Sequence, residues 1–232
     1  MSTLMIERRF SGPPGCANGG YFAGRFASHS PDLLSVRIER PIPLEQPLSV
    51  RTAAEGVLEL EHQGAVLARG RPVVFTLEVP PPPDYVQALE ASRRFVGLKH
   101  HPFPTCFVCG TERARGEGLR IFAGAVSGRE LVAGTWVPDA SLSAGDGKVR
   151  PEFMSAALDC PGYAAARDDG VPLLLGEYTA HVARCVHIDE PCVVIGWRLA
   201  TSGRRFEVGT ALFDEDGELC ARARAVWIEP RR

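Results

Sequence analysis

Residues 148–166, KVRPEFMSAALDCPGYAAA, read as a helix start followed by a buried helix. Pro151 suits the first helical position, and Glu152 beside it suits the positive end of the helix dipole. Apolar or small residues recur with helical spacing at positions 153, 156, 157, 160 and 164. Because small residues dominate this stripe, we expect another part of the molecule to pack close to the helix backbone.

One acid, Asp159, lies inside this apolar stretch. Pro161 and Gly162 follow it, so we expect the helix to kink or end just past the acid. A carboxyl group in such a helix is either a functional group with a raised pKa or a structural group whose hydrogen bonds are satisfied. Asp159 is therefore the first candidate for a functional residue.

The composition excludes several classes of protein. The chain of 232 residues is 45% hydrophobic and carries a net charge of −2 without a basic stripe, which argues against nucleic acid as the main partner. No apolar run approaches the length of a membrane span, and the N-terminus lacks the pattern of a signal peptide. Seven cysteines, an odd number, predict reduced thiols. We expect a soluble cytoplasmic protein.

The N-terminal part of the chain predicts one helix among strands. Asn18 is a good N-cap, and Gly19 and Gly20 after it leave backbone N–H groups uncovered at the helix start. Runs rich in Val, Leu and Ile predict strands. These strands are expected at 3–11, 33–42, 47–56, 57–63 and 65–77.

Four prolines at 80–83 begin a linker, in which residues 84–96 predict a helix capped by Asp84. A hairpin is expected around Ser127 and Gly128, before the helix predicted within residues 148–166. Four long strands are expected after that helix, at 173–187, 191–201, 204–214 and 218–229. The predicted organisation is an N-terminal unit (1–80), a linker with a short helix (81–105) and a C-terminal unit (106–232).

The order of a helix followed by four strands thus occurs twice. RPIPLEQPLSV begins at Arg40 and RCVHIDEPCVV at Arg184, so Arg and Pro recur with an offset of 144 residues. LARGR at 67–71 is similar to CARAR at 220–224. The shared order of these short matches favours an internal duplication.

A helix wrapped by a long antiparallel sheet, present twice in one chain, resembles a double hotdog. At the two helices the chain resembles hotdog acyl-CoA thioesterases of the phenylacetyl-CoA thioesterase type, whose pattern is His-Gly-Gly with an acid nine residues after the His. Asn18-Gly19-Gly20 resembles His-Gly-Gly with Asn in place of His, and Asp159 matches the acid, nine residues after Arg150. The CFVCG stretch at 106–110 and GLRIF at 118–122 also resemble the leader of many such thioesterases.

The resemblance implies an α+β double hotdog that acts on an acyl thioester, either acyl-CoA or an acyl carrier. In this family each site lies between the two helices, which implies a single composite site of Asn18, Gly19 and Gly20 facing Asp159. Ala27 and Arg150 stand where the second acid and the second His would be, so the opposite site is expected to be inactive.

The residue chemistry fits this expectation. Amide N–H groups at a helix N-terminus can stabilise an oxyanion, and a carboxylate can activate water or attack a carbonyl directly. We assign Gly19 and Gly20 as donors, Asn18 as an orienting group and Asp159 as base or nucleophile. The structural alternative is that Asn18 is only a helix cap and that Asp159 only binds backbone amides.

Other candidates are weaker. Glu152 and Glu177 are rival acids. Cys160 could be a nucleophile, although a small buried apolar role fits it better. The candidate substrate-binding residues are Tyr21, Arg204 and Arg205, the two arginines by resemblance to hairpin residues that meet CoA phosphates.

Cys106 and Cys109 have the spacing of a zinc or redox pair, but the sequence has no second CxxC, and a tight turn is the preferred interpretation. We expect no metal or organic cofactor, no nucleic-acid partner and no membrane span, and homodimerisation remains open. The alternatives in function are a hotdog enoyl-thioester hydratase or dehydratase, and a protein that binds acyl-CoA or lipid without turnover.

Overall fold

The computed structural model describes residues 2–167 and 169–231. This part of the chain forms eleven strands and four α-helices in the predicted order, except that the helix expected at 148–166 is divided into two. Their bounds are β1 Ser2–Leu4, α1 Gly19–Ala27, β2 Leu34–Ile38, β3 Leu48–Thr52, β4 Leu58–His62, β5 Ala65–Pro72, α2 Tyr85–Ser92, β6 Gly124–Ala125, β7 Val132–Trp136, α3 Pro151–Ala157, α4 Asp159–Ala166, β8 Leu174–Val182, β9 Cys192–Ser202, β10 Arg205–Phe213 and β11 Leu219–Ile228.

All eleven strands form one antiparallel sheet in the order β1-β3-β4-β5-β2-β8-β11-β10-β9-β7-β6. The order on one side of the β2–β8 pair repeats the order on the other side, with β3-β4-β5-β2 corresponding to β9-β10-β11-β8. Val36 pairs with Tyr178 and Arg37 with Glu177 at this junction. The predicted α+β architecture is therefore confirmed.

The spacing of the repeats agrees with the duplication. The loop between β2 and β3 runs from residue 38 to 48, and the loop between β8 and β9 runs from 182 to 192, which is the predicted offset of 144. Asn18 and Arg150 are the N-caps of α1 and α3, and they lie 132 positions apart. Each copy thus contributes one helix start and four strands, while the boundaries of the two units remain a prediction.

The helices of the two copies pack against each other on one face of the sheet. α1 crosses α3 and contacts β2 and β8, while α4 lies on β9, β10 and β11. The largest buried cluster joins residues of both copies, including Phe22, Phe153 and Tyr178. Since the core is shared, the site between the helices is held from both halves.

The helix break was predicted after Asp159, but the structure places it before this residue. α3 ends at Ala157, Leu158 is the junction, and Asp159 is the first residue of α4, which continues to Ala166. Pro161 explains the shift because its ring clashes with the carbonyl group four positions before it, at Ala157. The kink therefore precedes the proline and places Asp159 at a helix N-terminus.

Two other elements differ from the prediction. Within the segment 3–11 only residues 3 and 4 lie in a strand, as part of β1, and Arg8–Phe10 form a 3₁₀ helix instead. This turn lets the ring of Phe10 stack on Tyr21, with their centroids 4.0 Å apart. The helix that begins after its Asp84 cap is confirmed but ends at Ser92, earlier than predicted.

α2 covers the outer face of the second half of the sheet. Its Ala88 and Ala91 belong to a second buried cluster together with residues of β7, β9 and β10. Among the described residues, no helix has both the length and the apolar character needed to cross a membrane.

Candidate functional site

Asn18 connects the start of α1 to the acid of the other copy. Its side-chain Oδ1 accepts a hydrogen bond from the Tyr21 amide at 2.9 Å, as a helix cap does. Its Nδ2 donates to Oδ2 of Asp159 at 2.6 Å. Asn18 therefore serves both as a cap and as a donor to the carboxyl group.

Asp159 is held on one oxygen atom only. The Gly20 amide donates to the same Oδ2 at 3.1 Å, whereas Oδ1 has no hydrogen-bond partner among the described residues. The side chain is almost fully buried, with 2% of the residue exposed. Burial raises the pKa of Asp159 to about 7, although the hydrogen bonds from Gly20 and Asn18 act in the opposite direction.

Glycine at position 20 is required by the close approach of the helices. A Cβ atom there would lie 2.6 Å from the Cβ of Asp159 and 3.0 Å from the carbonyl oxygen of Ser155. Ser155 Oγ donates to the Gly20 carbonyl at 2.8 Å, and the Tyr178 hydroxyl donates to the Ser155 carbonyl at 2.7 Å. The small residues predicted to allow close packing therefore do so at the site itself.

Beside the carboxyl group lies a cavity of about 290 Å³. Its wall includes Asn18, Gly19 and Asp159, and apolar side chains such as Leu173, Leu175 and Trp227 supply much of the rest. The Gly19 N–H has no acceptor within its helix because it belongs to the first turn. A mainly apolar cavity with a few polar groups at one end suits an acyl chain with a reactive head.

The structure uses the two glycines differently. The Gly20 N–H, assigned from sequence as an oxyanion donor, is bonded to Asp159. A carboxylate at a helix N-terminus is stabilised by the aligned peptide dipoles, which explains this contact. Gly19 alone of the pair lines the cavity.

Three cysteines that the sequence did not connect meet at the same wall. Cys106, Cys109 and Cys160 have their sulfur atoms within 4.8 Å of one another, and all three line the cavity. The CxxC spacing revealed only the pair, and Cys160 was assigned an apolar packing role. Its position directly after Asp159 is the signal that could have joined it to them.

Tyr21 does not reach the cavity. Its ring is 2% exposed and packs against Phe10, Phe107 and Phe153. Tyr21 faces this cluster because it follows the cap by one turn on the core side of α1. The structure gives it a packing position instead of the predicted contact with substrate.

The two predicted arginines are separated. Arg205 lines a neighbouring cavity of about 350 Å³ together with Arg37. This second cavity shares Ile38, Gly176 and Ile228 with the first, so the two adjoin. Arg204 instead donates to the Glu229 carbonyl at 2.8 Å, which ties the turn between β9 and β10 to the end of β11.

The rival acids lie outside the apolar cavity at Asp159. Glu152 is 3.5 Å from Arg150 and 3.9 Å from Arg25, so it is placed among cations at the start of α3. Glu177 accepts a hydrogen bond from Ser35 at 3.0 Å and lines the cavity of Arg205. Asp159 is therefore the acid that the structure places at the apolar cavity.

Comparisons with known proteins identify the fold. No family model and no curated protein sequence matches the chain. The structure is similar to the TesB protein of Mycobacterium avium subspecies paratuberculosis, with 15% identity, 99% of this chain and 92% of that chain covered, and a TM-score of 0.62. A thioesterase candidate from Novosphingobium aromaticivorans gives 12% identity, 99% and 95% coverage, and a TM-score of 0.59.

A protein of unknown function with a hot dog fold from Alicyclobacillus acidocaldarius is similar over the same extent, with 10% identity, 99% and 93% coverage, and a TM-score of 0.55. Matches that span almost the whole of both chains agree with two fused units. The fold is thus a double hotdog, as the two helices predicted.

Proposed function

We propose that this protein hydrolyses acyl thioesters at one composite cleft between its two helices. The observation that carries the proposal is the state of Asp159: a buried carboxyl group held through Oδ2 by Asn18 and Gly20, with Oδ1 unpartnered among the described residues. The group lines an apolar cavity of about 290 Å³. The thioesterase candidate among the structurally similar proteins supports the same reaction class.

Asp159 acts through Oδ1. As a general base this oxygen takes a proton from water, and the resulting hydroxide attacks the thioester carbonyl. As a nucleophile the same oxygen attacks the carbonyl directly and forms an anhydride that water then opens. In either role Asn18 and Gly20 fix the carboxyl group, and the carrier leaves as a thiol.

The first turn of α1 supplies the electrostatic part of the reaction. Negative charge develops on the carbonyl oxygen in the transition state, and uncovered N–H groups at a helix N-terminus stabilise such charge. The Gly19 N–H takes this role in the proposal, because Gly20 already donates to the acid. The absence of a side chain at Gly19 lets the thioester approach the backbone.

The proposed carrier is coenzyme A. Arg37 and Arg205 line the cavity that adjoins the acyl site, and guanidinium groups bind phosphate through paired hydrogen bonds. The phenylacetyl-CoA thioesterase type remains the family proposed from the two helix motifs. Acyl carrier protein is the alternative carrier, and the same thiol-release assay with acyl carrier protein thioesters distinguishes the two.

A hydratase is the less favoured reaction. His101 lines the acyl cavity, but its Nδ1 accepts from the Phe103 amide at 2.9 Å and its Nε2 contacts the Cys109 carbonyl oxygen at 3.0 Å. Both ring nitrogens are thus engaged with the backbone. No imidazole in the described part of this cavity is left to pair with Asp159 in the manner of a hydratase.

The test is release of free thiol from short, long and aromatic acyl-CoA esters by the wild type, Asp159→Asn and Glu152→Gln. We expect turnover that falls by about 10²–10⁴-fold in Asp159→Asn, the range that a general base contributes, and little change in Glu152→Gln. Full activity of a folded Asp159→Asn variant would refute the assignment. Ligand-dependent thermal stabilisation without turnover would instead indicate a binding protein.

A further inference from the structure

Three buried thiols from two distant segments converge beside the proposed site. Cys106 and Cys109 belong to one loop, and Cys160 is the second residue of α4. The sulfur atoms of Cys106 and Cys160 are 3.6 Å apart, and all three sulfurs lie within 4.8 Å of one another. None of the three forms a disulfide, and each residue is less than 10% exposed.

The loop holds the first two thiols in a tight turn. The Gly110 amide donates to the Cys106 carbonyl at 2.9 Å, and a Cβ atom at Gly110 would lie only 2.4 Å from that oxygen. The Phe107 amide donates to the Ser11 carbonyl at 2.7 Å, and the Ile121 amide donates to the Val108 carbonyl at 2.9 Å. The turn is thus tied to other parts of the protein at Phe107 and Val108, so the sulfurs are positioned in advance.

Zinc is bound by thiolates and not by thiols, so its binding displaces the protons of these cysteines to solvent.

We propose that Cys106, Cys109 and Cys160 bind one zinc ion through their three thiolates. Zinc in proteins is tetrahedral with a Zn–S distance of about 2.3 Å, which places neighbouring sulfurs about 3.8 Å apart. The 3.6 Å between Cys106 and Cys160 is close to this edge length. Binding requires only a small adjustment of Cys109, because all three sulfurs already lie within 4.8 Å.

The fourth ligand comes from the side of the cavity. His101 is the imidazole nearest the turn in the described structure, and its two nitrogens already face the Phe103 amide and the Cys109 carbonyl oxygen. His101 therefore supports the turn and is not a ligand. Because all three cysteines line the cavity, a zinc ion and a solvent ligand can reach the sulfurs through it.

Zinc at this position would fasten the 106–110 turn to α4 directly beside Asp159. The proposed hydrolysis uses the carboxyl group and helix amides, so zinc binding is independent of it and is measured as metal content. Adjacent thiols can also form a disulfide, which the experiment below distinguishes from a zinc site.

The experiment uses the full chain, purified with reductant, incubated with Zn²⁺ and freed of unbound metal by gel filtration. We expect elemental analysis to find one zinc ion per chain in the wild type and in Cys220→Ser, and loss of it in Cys106→Ser and Cys160→Ser. Cys220 is a matched control because it is a buried thiol outside the cluster that donates to the Glu218 carbonyl at 3.3 Å.

Cobalt provides a second measurement that needs no variant. Co²⁺ in the wild type should give thiolate-to-cobalt charge-transfer bands and the intense visible bands of tetrahedral coordination. A folded wild type that retains neither metal would overturn the proposal, as would retention of zinc by folded Cys106→Ser and Cys160→Ser. A disulfide between two of the three cysteines in reductant-purified protein, seen by mass spectrometry, would overturn it too.

Discussion

The two halves present corresponding clefts with different contents. In one cleft Asn18, Gly19 and Gly20 at the start of α1 face Asp159, beside a cavity of about 290 Å³. In the other, the start of α3 faces Ala27, beside a cavity of about 190 Å³. The positions correspond with the offset of 132 residues: Arg150 to Asn18, Pro151 to Gly19, Glu152 to Gly20, and Asp159 to Ala27.

The second cleft lacks each feature that the first supplies. Pro151 has no N–H group, so the position that corresponds to Gly19 has no donor. Ala27 has no carboxyl group, and the cavity wall there consists mainly of small and apolar residues such as Ala23, Val36 and Val182. The packing of α1 against α3 thus forms both clefts, whereas only the cleft at Asp159 contains the polar groups.

A substitution at Gly20 tests whether the close approach of the two helices at the first cleft is needed for stability and turnover. We expect Gly20→Ala to destabilise the protein by about 1–3 kcal/mol, because the new Cβ meets Asp159 and the Ser155 carbonyl. Displacement of the acid should lower turnover by about 10²-fold. Denaturant unfolding and thiol release measure the two effects.

Gly19→Ala is the matched control. Its Cβ would lie 2.6 Å from Leu175 Cδ2, the end of a flexible side chain that can move, so its stability loss should be smaller. Equal stability losses in the two variants would contradict the view that the contact between the helices requires glycine at position 20.

Variants of Asn18 distinguish its role as the cap of α1 from its hydrogen bond to Asp159. Ser retains an oxygen that can cap α1 but has no amide to reach Asp159, so Asn18→Ser should keep most of the stability that Asn18→Ala loses, about 0.5–2 kcal/mol. Turnover should fall about tenfold in Asn18→Ser, because a hydrogen bond to a charged group contributes about 1.5 kcal/mol. Unchanged turnover in Asn18→Ser would show that Asn18 serves only as the cap of α1.

The smallest effect is expected at the cleft that contains Ala27. We expect Ala27→Asp to add no turnover, either alone or together with Asp159→Asn, because the facing helix begins with Arg150 and Pro151 and offers no Asn side chain or glycine amide. Thiol release by the double variant measures this. Activity regained by the double variant would show that an acid alone suffices, contrary to the proposed roles of Asn18 and Gly20.

Local sequence patterns were sufficient for the elements and their repetition. Asn18 and Asp84 were predicted as N-caps because Asn and Asp side chains accept hydrogen bonds from the amides of the first turn, and both do so. Runs rich in Val, Leu and Ile predicted strands in the first half of the chain. The fold could be predicted because the same short-range rules applied twice at constant offsets.

The helix break was located less well. Pro161 was read as ending the helix after Asp159, but a proline disturbs the carbonyl group of the preceding turn, so the junction is Leu158. This displacement matters because it puts the acid at the start of α4. The same rule, applied to the preceding turn, would have given the observed position.

The sequence by itself determined that two similar units each place a helix on an antiparallel sheet, and that only one pair of helix positions contains an acid. The tertiary structure alone decided that the Gly20 amide binds Asp159, that Tyr21 faces the core, and that Cys160 joins Cys106 across 54 positions of the chain. These contacts depend on how two helices cross and on the path of the 106–110 turn. Such geometry arises from packing between distant segments, which no local pattern records.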